Sequence, residues 1–488
     1  MTDSSNHILD LARHGSVRFA LSEFVHQGFD KVRHDEDTMA LHGRLYKDLF
    51  LSQSGRQAIE SARESAIKYE TAFKETKGFY SGINAATMSL LAGFDEEMVK
   101  MRAERIIDLL PPTDTLDHET KYFVEATRAE AQLLLGEVSN ARQSMQQAVD
   151  HDPLNFSAHA STIKQFRMIA AHRGEAYDWV SDFQPPNTFC YAGHIFGISG
   201  EADPKNQCLS SKQIKALKVE ISELLQTHDI GFAYGALAAG SDILIAESIL
   251  EEGGELHVTL PINIEAFCEA SVKPFGTPWV RRFKSCLKQA SSIKIISETA
   301  KQRSESLEEQ SSLANMGEAI RRAQYYGVGA VQLLIWDEKP RKSNTAADVV
   351  LWGETGRPRL VIKYEGPRAN RKANTAPRQG HVEFVLKSAD GKFELKFDDL
   401  LSALNKAVEH RKDTDFEMKQ VLDVSITDET YLGDYFLKHS LPGSIVLSER
   451  VANYIAVYHF DDFSADYIGD LAGGEKIYAL RQKGDLAI

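Results

Sequence analysis

The sequence predicts a multidomain chain: an all-α helical solenoid, then an α/β domain on a parallel sheet, then a small α+β domain. Three observations predict it. From about residue 36 to residue 175, apolar positions recur at three and four with few β-branched runs. From residue 187, short apolar runs alternate with helical patterns, which favours a parallel sheet covered on both faces. Beyond residue 380, alternating strands flank a hairpin turn and an amphipathic helix. At 488 residues the chain exceeds one ordinary core, so roughly two to four domains are expected.

Composition narrows the function classes. The apolar share of 43% and charged share of 26% are those of a soluble globular protein. A formal net charge of −14 argues against wholesale binding to nucleic acid or an anionic membrane. Residues 1–15 lack an apolar core of signal-peptide length and no window reaches a membrane span, so a cytoplasmic location is expected. Cys190, Cys208, Cys268 and Cys286 have no C-x-x-C spacing. They read as free thiols, with neither a zinc site nor a disulfide frame, and no metal ligand set is assigned.

Residues 1–35 are read as an N-terminal extension and 36–183 as the helical domain. The clearest piece is 122–153, where Ala129, Ala141 and Ala148 permit two helices to approach closely. Gly136 marks the turn between them and Pro153 ends the second. This is the spacing of a tetratricopeptide repeat of about 34 residues. A looser copy has Ala86 before Gly93. Such pairs bury their faces only by stacking, giving a solenoid with a concave binding surface; a plain helical bundle is the alternative. The runs LHGRLYKDLFL (41–51) and FYSGINAATMSLLAG (79–93) resemble the TRAF-binding, tetratricopeptide-type regulatory segment of apoptosis-signal-regulating MAP kinase kinase kinases and its bacterial relatives. The resemblance implies a non-catalytic arm that binds a protein partner or dimerises. No kinase signature accompanies it.

Gln184-Pro185-Pro186-Asn187 reads as a linker into a domain spanning 187–362. A strand at 188–192 leads into Gly193 and His194, and a helix follows at 211–227. Residues 230–261 then read as strand (230–234), glycine loop, helix and strand (255–260). Ser241 suits an N-cap, Asp242 suits the positive end of the helix dipole, and Gly253 with Gly254 stops the helix. Gly235, Ala236, Ala239 and Gly240 let a ligand approach backbone amides, the physical recipe for holding a phosphate. Tight strand–helix packing needs the same small residues. Asp242 opposes a bare phosphate, so a ribose hydroxyl or a metal is its expected contact. Residues 266–282, with Pro274, Gly276 and Pro278, read as a loop anchored by Trp279. Helices at 283–290 and 311–326 and strands at 293–296 and 330–336 follow, the last ending in Asp337. Ligands in such sheets bind beyond the carboxyl ends of the strands, where His194, the 236–242 loop and Asp337 all fall.

Gly193-His194, Ala239-Gly240-Ser241-Asp242 with Glu247, Leu260-Pro261, Phe267 with Ser271-Val272, Trp279 with Arg282-Phe283, and Trp336-Asp337 resemble the SLOG superfamily. This is the Rossmann-like fold shared by DNA-processing protein A and the cytokinin-activating LOG enzymes. The resemblance implies a nucleotide or nucleotide-derived ligand at the glycine loop. In the LOG branch a glutamate and an arginine support cleavage of a glycosidic bond, and Glu247 and Arg282 stand at comparable positions. The loop here is Ala-Gly-Ser-Asp, not the Pro-Gly-Gly-x-Gly-Thr of those enzymes, which favours binding over catalysis.

The 339–378 stretch carries Arg341, Lys342, Arg368, Arg371, Lys372 and Arg378 without interleaved aromatics, interrupted by apolar runs at 348–350 and 360–364. It reads as a solvated linker (363–379 at its core), not a single-strand reader. Residues 380–488 read as hairpin strands at 381–386 and 392–397 around Ala389-Asp390-Gly391, a helix at 399–410, and strands at 420–426, 444–448 and 478–480. The order resembles a class III nucleotide-cyclase homology domain. Cyclisation there implies two metal-binding aspartates and an asparagine–arginine pair. Neither is matched here, so the resemblance implies a degenerate module.

The combined expectation is a cytoplasmic signalling protein that contacts a protein partner through the helical arm and binds a nucleotide-type ligand in the central domain. A hydrolase of a nucleotide's N-glycosidic or phosphate bond, using Glu247 and Arg282, is the alternative; a scaffold with a structural α/β domain is the second. Homo-oligomerisation stays open.

Overall fold

The computed structural model describes residues 3–13, 17–198, 208–339, 344–365, 382–389, 391, 393–413, 419–426, 433–440, 444–458, 460–471 and 475–482. The chain divides into two compact units, Met1–Pro185 with Leu441–Ile445 and Asp466–Ile488, and Pro186–Ser440 with Val446–Ala465.

The Met1–Pro185 part of the first unit is built mainly from helices: Asp3–Arg13, Val17–His26, Glu36–Ser52, Gly55–Thr76, Phe79–Leu91, Glu96–Leu109, His118–Leu135, Val138–His151 and Phe156–Arg173. Asp95, Asp117 and Asn155 start three of them by accepting amide hydrogens of the first turn. Gly136 ends His118–Leu135 in the left-handed region, with φ of 81°, at the expected turn. Ala129, Ala141 and Ala148 are fully buried, as close helix approach requires. Phe73, Ile83, Ile106, Leu133 and Phe166 fill the core between successive helices. In the first 35 residues, Ile8, Leu11 and Phe24 bury against Leu41, Leu45 and Leu49.

The second unit holds a six-stranded parallel sheet. Edge to edge it runs Ser292–Ser297, Glu255–Ile262, Ile230–Gly235, Asn187–Gly193, Ala330–Trp336, Arg359–Lys363. The chain therefore steps outward from Asn187–Gly193 on one side and returns to pair with its other side. That reversal makes a topological switch point at Asn187–Gly193. Successive residues of this strand face opposite layers. The Thr188 hydroxyl donates to the Ala319 carbonyl of the Glu305–Tyr326 helix at 2.8 Å. Phe189 and Tyr191 pack in the core with Ile243 and Ala246 of the Ser241–Glu251 helix.

Two expectations are corrected. Residues 266–282 are mostly helical: Ile264–Ser271, a 3-10 turn Lys273–Phe275, and Thr277–Gln289. Pro274 and Pro278 sit in first turns, where a missing N–H loses no helical bond, so they open helices and do not break them. Part of the 339–378 stretch is also structured, as the helix Asn344–Glu354 and the sheet-edge strand Arg359–Lys363. Arg341, Lys342, Arg368, Arg371, Lys372 and Arg378 lie outside the described residues, as does Asp390 of the predicted turn.

Of the last module, Val382–Ser388 pairs antiparallel with Glu394–Phe397 on one side and Gln420–Ile426 on the other. Its Glu449–Tyr458 helix packs on Glu305–Tyr326. A Cβ on Gly317 would meet Asn453 at 2.6 Å, so the glycine lets the two helices touch. Lys294 Nζ bridges Glu318 at 2.5 Å and Glu449 at 2.6 Å, and Arg321 Nε donates to Asn453 Oδ1 at 3.1 Å.

Asp348 supplies a pH test. Burial pushes its carboxyl up to about 6 from an ordinary 3.8, against the opposing pull of the Ser312 hydroxyl. The folded chain thus keeps a proton that the unfolded chain releases. Stability falls as pH rises from about 4 to about 6 and stays lower above that. Asp348→Asn should flatten this window and raise stability near pH 7 by about 1–3 kcal/mol, measured by denaturant unfolding across pH.

Candidate functional site

At the switch point, Gly193 and Asp337 stand at the carboxyl ends of adjacent strands, Asn187–Gly193 and Ala330–Trp336. His194 Nε2 lies 3.0 Å from Asp337 Oδ1, both side chains largely buried. The His194 ring centroid is 5.3 Å from that of Tyr364, which stacks on Phe196 at 5.4 Å and 12°. Burial pushes the Tyr364 hydroxyl above the ordinary tyrosine range.

The glycine loop lies beside this pair, and the protein's own atoms occupy it. Ser241 N–H and Ser241 Oγ both donate to the His194 carbonyl, at 3.2 Å and 2.7 Å. Ala239 N–H donates to the Ser271 carbonyl at 3.0 Å, and Ala238 N–H donates to Asp242 Oδ2 at 3.1 Å. Gly240 is the N-cap residue, at φ of 98°, and pairs with Ile195 in an isolated antiparallel bridge. Ser241 is the first helical residue and makes no side-chain cap bond, which corrects its expected role. Asp242 accepts from the Ala238 amide and so closes the loop.

Each glycine answers to a neighbour. A Cβ on Gly193 would meet Ser241 Cβ at 2.4 Å, one on Gly235 the Tyr191 ring at 2.4 Å, and one on Gly240 the Phe196 amide nitrogen at 2.7 Å. Ala236 accepts the Tyr191 hydroxyl at 2.9 Å, and Ala239 is fully buried. The start of the helix is thus satisfied by a carbonyl, an oxygen of partial negative charge where an anion would otherwise sit.

Glu247 and Arg282 form a separate constellation. Arg282 Nε donates to Glu247 Oε1 at 2.7 Å, its Nη2 takes Oε2, and Lys218 Nζ stands 3.6 Å from Oε2. The guanidinium lies 4.4 Å above the Trp279 ring. Glu247 is six residues along the helix from Ser241, about 9 Å of axial rise. His194, Ser241, Gly240 and Asp337 are therefore brought together, and Glu247 with Arg282 is held apart in a fork-shaped ion pair.

Sequence reasoning missed Tyr191, Phe196 and Tyr364, and it named Ser271 within the resemblance without foreseeing its carbonyl's contact with Ala239. Strand alternation could have aimed Tyr191 at the loop, since it shares a face with Phe189. Ser271 acts through its backbone, which no side-chain pattern reveals.

Residues 5–89 match the family model described as Tetratricopeptide Repeats-Sensor. Among solved structures, this chain is similar to the MamA RS-1 ArsTM double mutant, at 15% identity and a TM-score of 0.23, over 38% of this chain and 96% of that one. It is also similar to a mutant of Thermobaculum terrenum O-GlcNAc transferase, at 10% identity and a TM-score of 0.18, over 59% of this chain and 45% of that one. No curated protein matches. The chain is thus multidomain, with a tetratricopeptide-type helical region followed by a parallel-sheet domain and a small sheet-containing domain. No helix among the described residues is long and apolar enough to cross a membrane.

Gly235→Ala should destabilise the second unit by about 1–3 kcal/mol, because the added methyl meets the fixed Tyr191 ring. Gly253→Ala, with open space but φ of 80°, should cost about 1 kcal/mol. Equal losses in thermal unfolding would show that the Tyr191 contact does not govern the loop.

Proposed function

We propose that this chain, sensor-type in its helical segment, is a signalling adaptor whose helical arm contacts a protein partner and whose Rossmann-like domain receives a nucleotide or nucleotide-derived ligand at the switch point. The helical match and the stacked helix pairs support the partner-contacting arm. The TRAF-binding-like motifs at 41–51 and 79–93 lie within or just beyond that match. The single observation that carries the ligand reading is the His194 carbonyl at the start of the Ser241–Glu251 helix. A phosphate oxygen exchanged for that carbonyl would keep both Ser241 donors and gain the helix dipole. Exchange would release the 194–196 stretch, and with it the His194–Asp337 contact and the Phe196–Tyr364 stack. Signalling then follows from unequal ligand affinity for the closed and released arrangements. The clamp between Glu305–Tyr326 and Glu449–Tyr458 ties the degenerate cyclase-like module to the sheet.

Hydrolysis is less well supported. Both Glu247 oxygens face cations, Arg282 and Lys218, so the carboxylate is not presented as an acid or base to a substrate at Gly240. One observation favours the scaffold reading: Gly193, Gly235 and Gly240 each have a packing reason to be small.

Calorimetry on the full chain with mono-, di- and cyclic dinucleotides separates the two. The adaptor reading expects a dissociation constant of about micromolar order, weakened at least about tenfold in Gly240→Val and tightened in His194→Ala, which loses the closed-state contact with Asp337. No binding below about millimolar, or binding unchanged in both variants, leaves the scaffold reading.

A further inference from the structure

Within the helical unit, several helices turn polar side chains toward one another in an otherwise apolar stack. Arg44 and Lys47 lie three apart on one face of Glu36–Ser52; Asn84 and Thr87 do the same on Phe79–Leu91. Glu130 comes from His118–Leu135 and Gln165 from Phe156–Arg173. Lys47 Nζ donates to Asn84 Oδ1 at 2.9 Å. Thr87 Oγ1 donates to Glu130 Oε1 at 2.5 Å, and Gln165 Nε2 donates to the same oxygen at 3.4 Å.

The cluster is incomplete as a structural network. A lysine ammonium has three donors, and among the described residues Lys47 uses one, on Asn84. Gln165 Oε1 is buried and finds no donor among the described residues. Lys47 and Glu130 are close enough for each to bias the other's charge, yet no salt bridge joins them among the described residues. Burial pushes the Lys47 ammonium below the ordinary lysine range, with Glu130 and Asp48 opposing and Arg44 adding to the fall. Burial likewise pushes the Glu130 carboxyl up, against Thr87 and Lys47. A pair kept only for the fold would close on itself, since separated buried charges are destabilising. Here the opposite charges stand apart, with donors left on one side and an acceptor left on the other. Lys47 and Gln165 are partly exposed residues, and Asn84, Thr87 and Glu130 between them are buried.

We infer that Arg44, Lys47, Asn84, Thr87, Glu130 and Gln165 form a second binding site, for a small molecule with an anionic head that pairs with Lys47 beside Arg44 and a hydroxyl or amine donor that reaches Glu130 and Gln165. Phosphate and carboxylate heads share this chemistry. The site goes beyond the switch-point reading, because every residue in it belongs to the helical unit.

The test is thermal unfolding of the full chain with inorganic phosphate, ribose 5-phosphate, glutamate, succinate, or neutral ribose as control. At least one anionic arm should raise the melting temperature in a concentration-dependent way, as ligand linkage requires, and the active arm identifies the head group. Lys47→Met should weaken that ligand at least about tenfold, and Lys47→Arg should weaken it less. Should Lys47→Met fail to fold, Gln165→Leu carries the same test, with affinity several-fold weaker. His194→Ala should leave this response intact, so the two sites fail separately. No shift from any arm up to roughly 10 mM, a shift equal for neutral ribose, or one unchanged in the folded variants overturns the proposal.

Discussion

The His194 carbonyl receives two hydrogen bonds from one residue, the amide and the hydroxyl of Ser241. That double contact joins the end of the central strand to the start of the Ser241–Glu251 helix. It forces the backbone past Gly240, whose φ of 98° only glycine adopts readily. It also brings Gly193 so near Ser241 that neither a side chain at 193 nor a ligand fits between them. A nucleotide reaching this loop must therefore replace an internal bond. Under the proposed function, binding and rearrangement would be one event.

Polar contacts join two helices of the second unit, Glu305–Tyr326 and Glu449–Tyr458. Burial alone would pull the Lys294 ammonium down, but Glu318 and Glu449 outweigh it and hold its pKa above the ordinary value. Removing Lys294 would take the cation from both carboxylates at once, so the clamp holds the two helices together. Gln310 Nε2 donates to the Tyr454 hydroxyl at 2.5 Å, extending that clamp into the buried layer. In the helical unit, Lys47 donates to Asn84 and Glu130 accepts from Thr87, with no direct pair between the two charges among the described residues.

Regular elements were legible where burial and pattern agree. Ala330–Trp336 is readable to the residue, because its run is buried up to the half-buried Trp336 and bounded by Gly329 and Asp337. Ser211–Thr227 is equally clear, since Ser210 and Gln213 form a capping box at its start. Arg359–Lys363 is hidden by basic neighbours and by its edge position, where one partner strand suffices. The helices flanking Gly276 are hidden by prolines whose meaning depends on the turn they occupy. The site was half legible. His194, Gly240 and Asp337 meet as strand ends in a parallel sheet must. The carbonyls of His194 and Ser271 that occupy the loop amides leave no trace in residue type.

Residue-resolved amide hydrogen exchange on the ligand-free full chain tests the closed loop most directly. Ala238, Ala239 and Ser241 should be protected to the level of the surrounding sheet, because each amide has an internal acceptor. Exchange of these three at the rate of an open surface loop would contradict it.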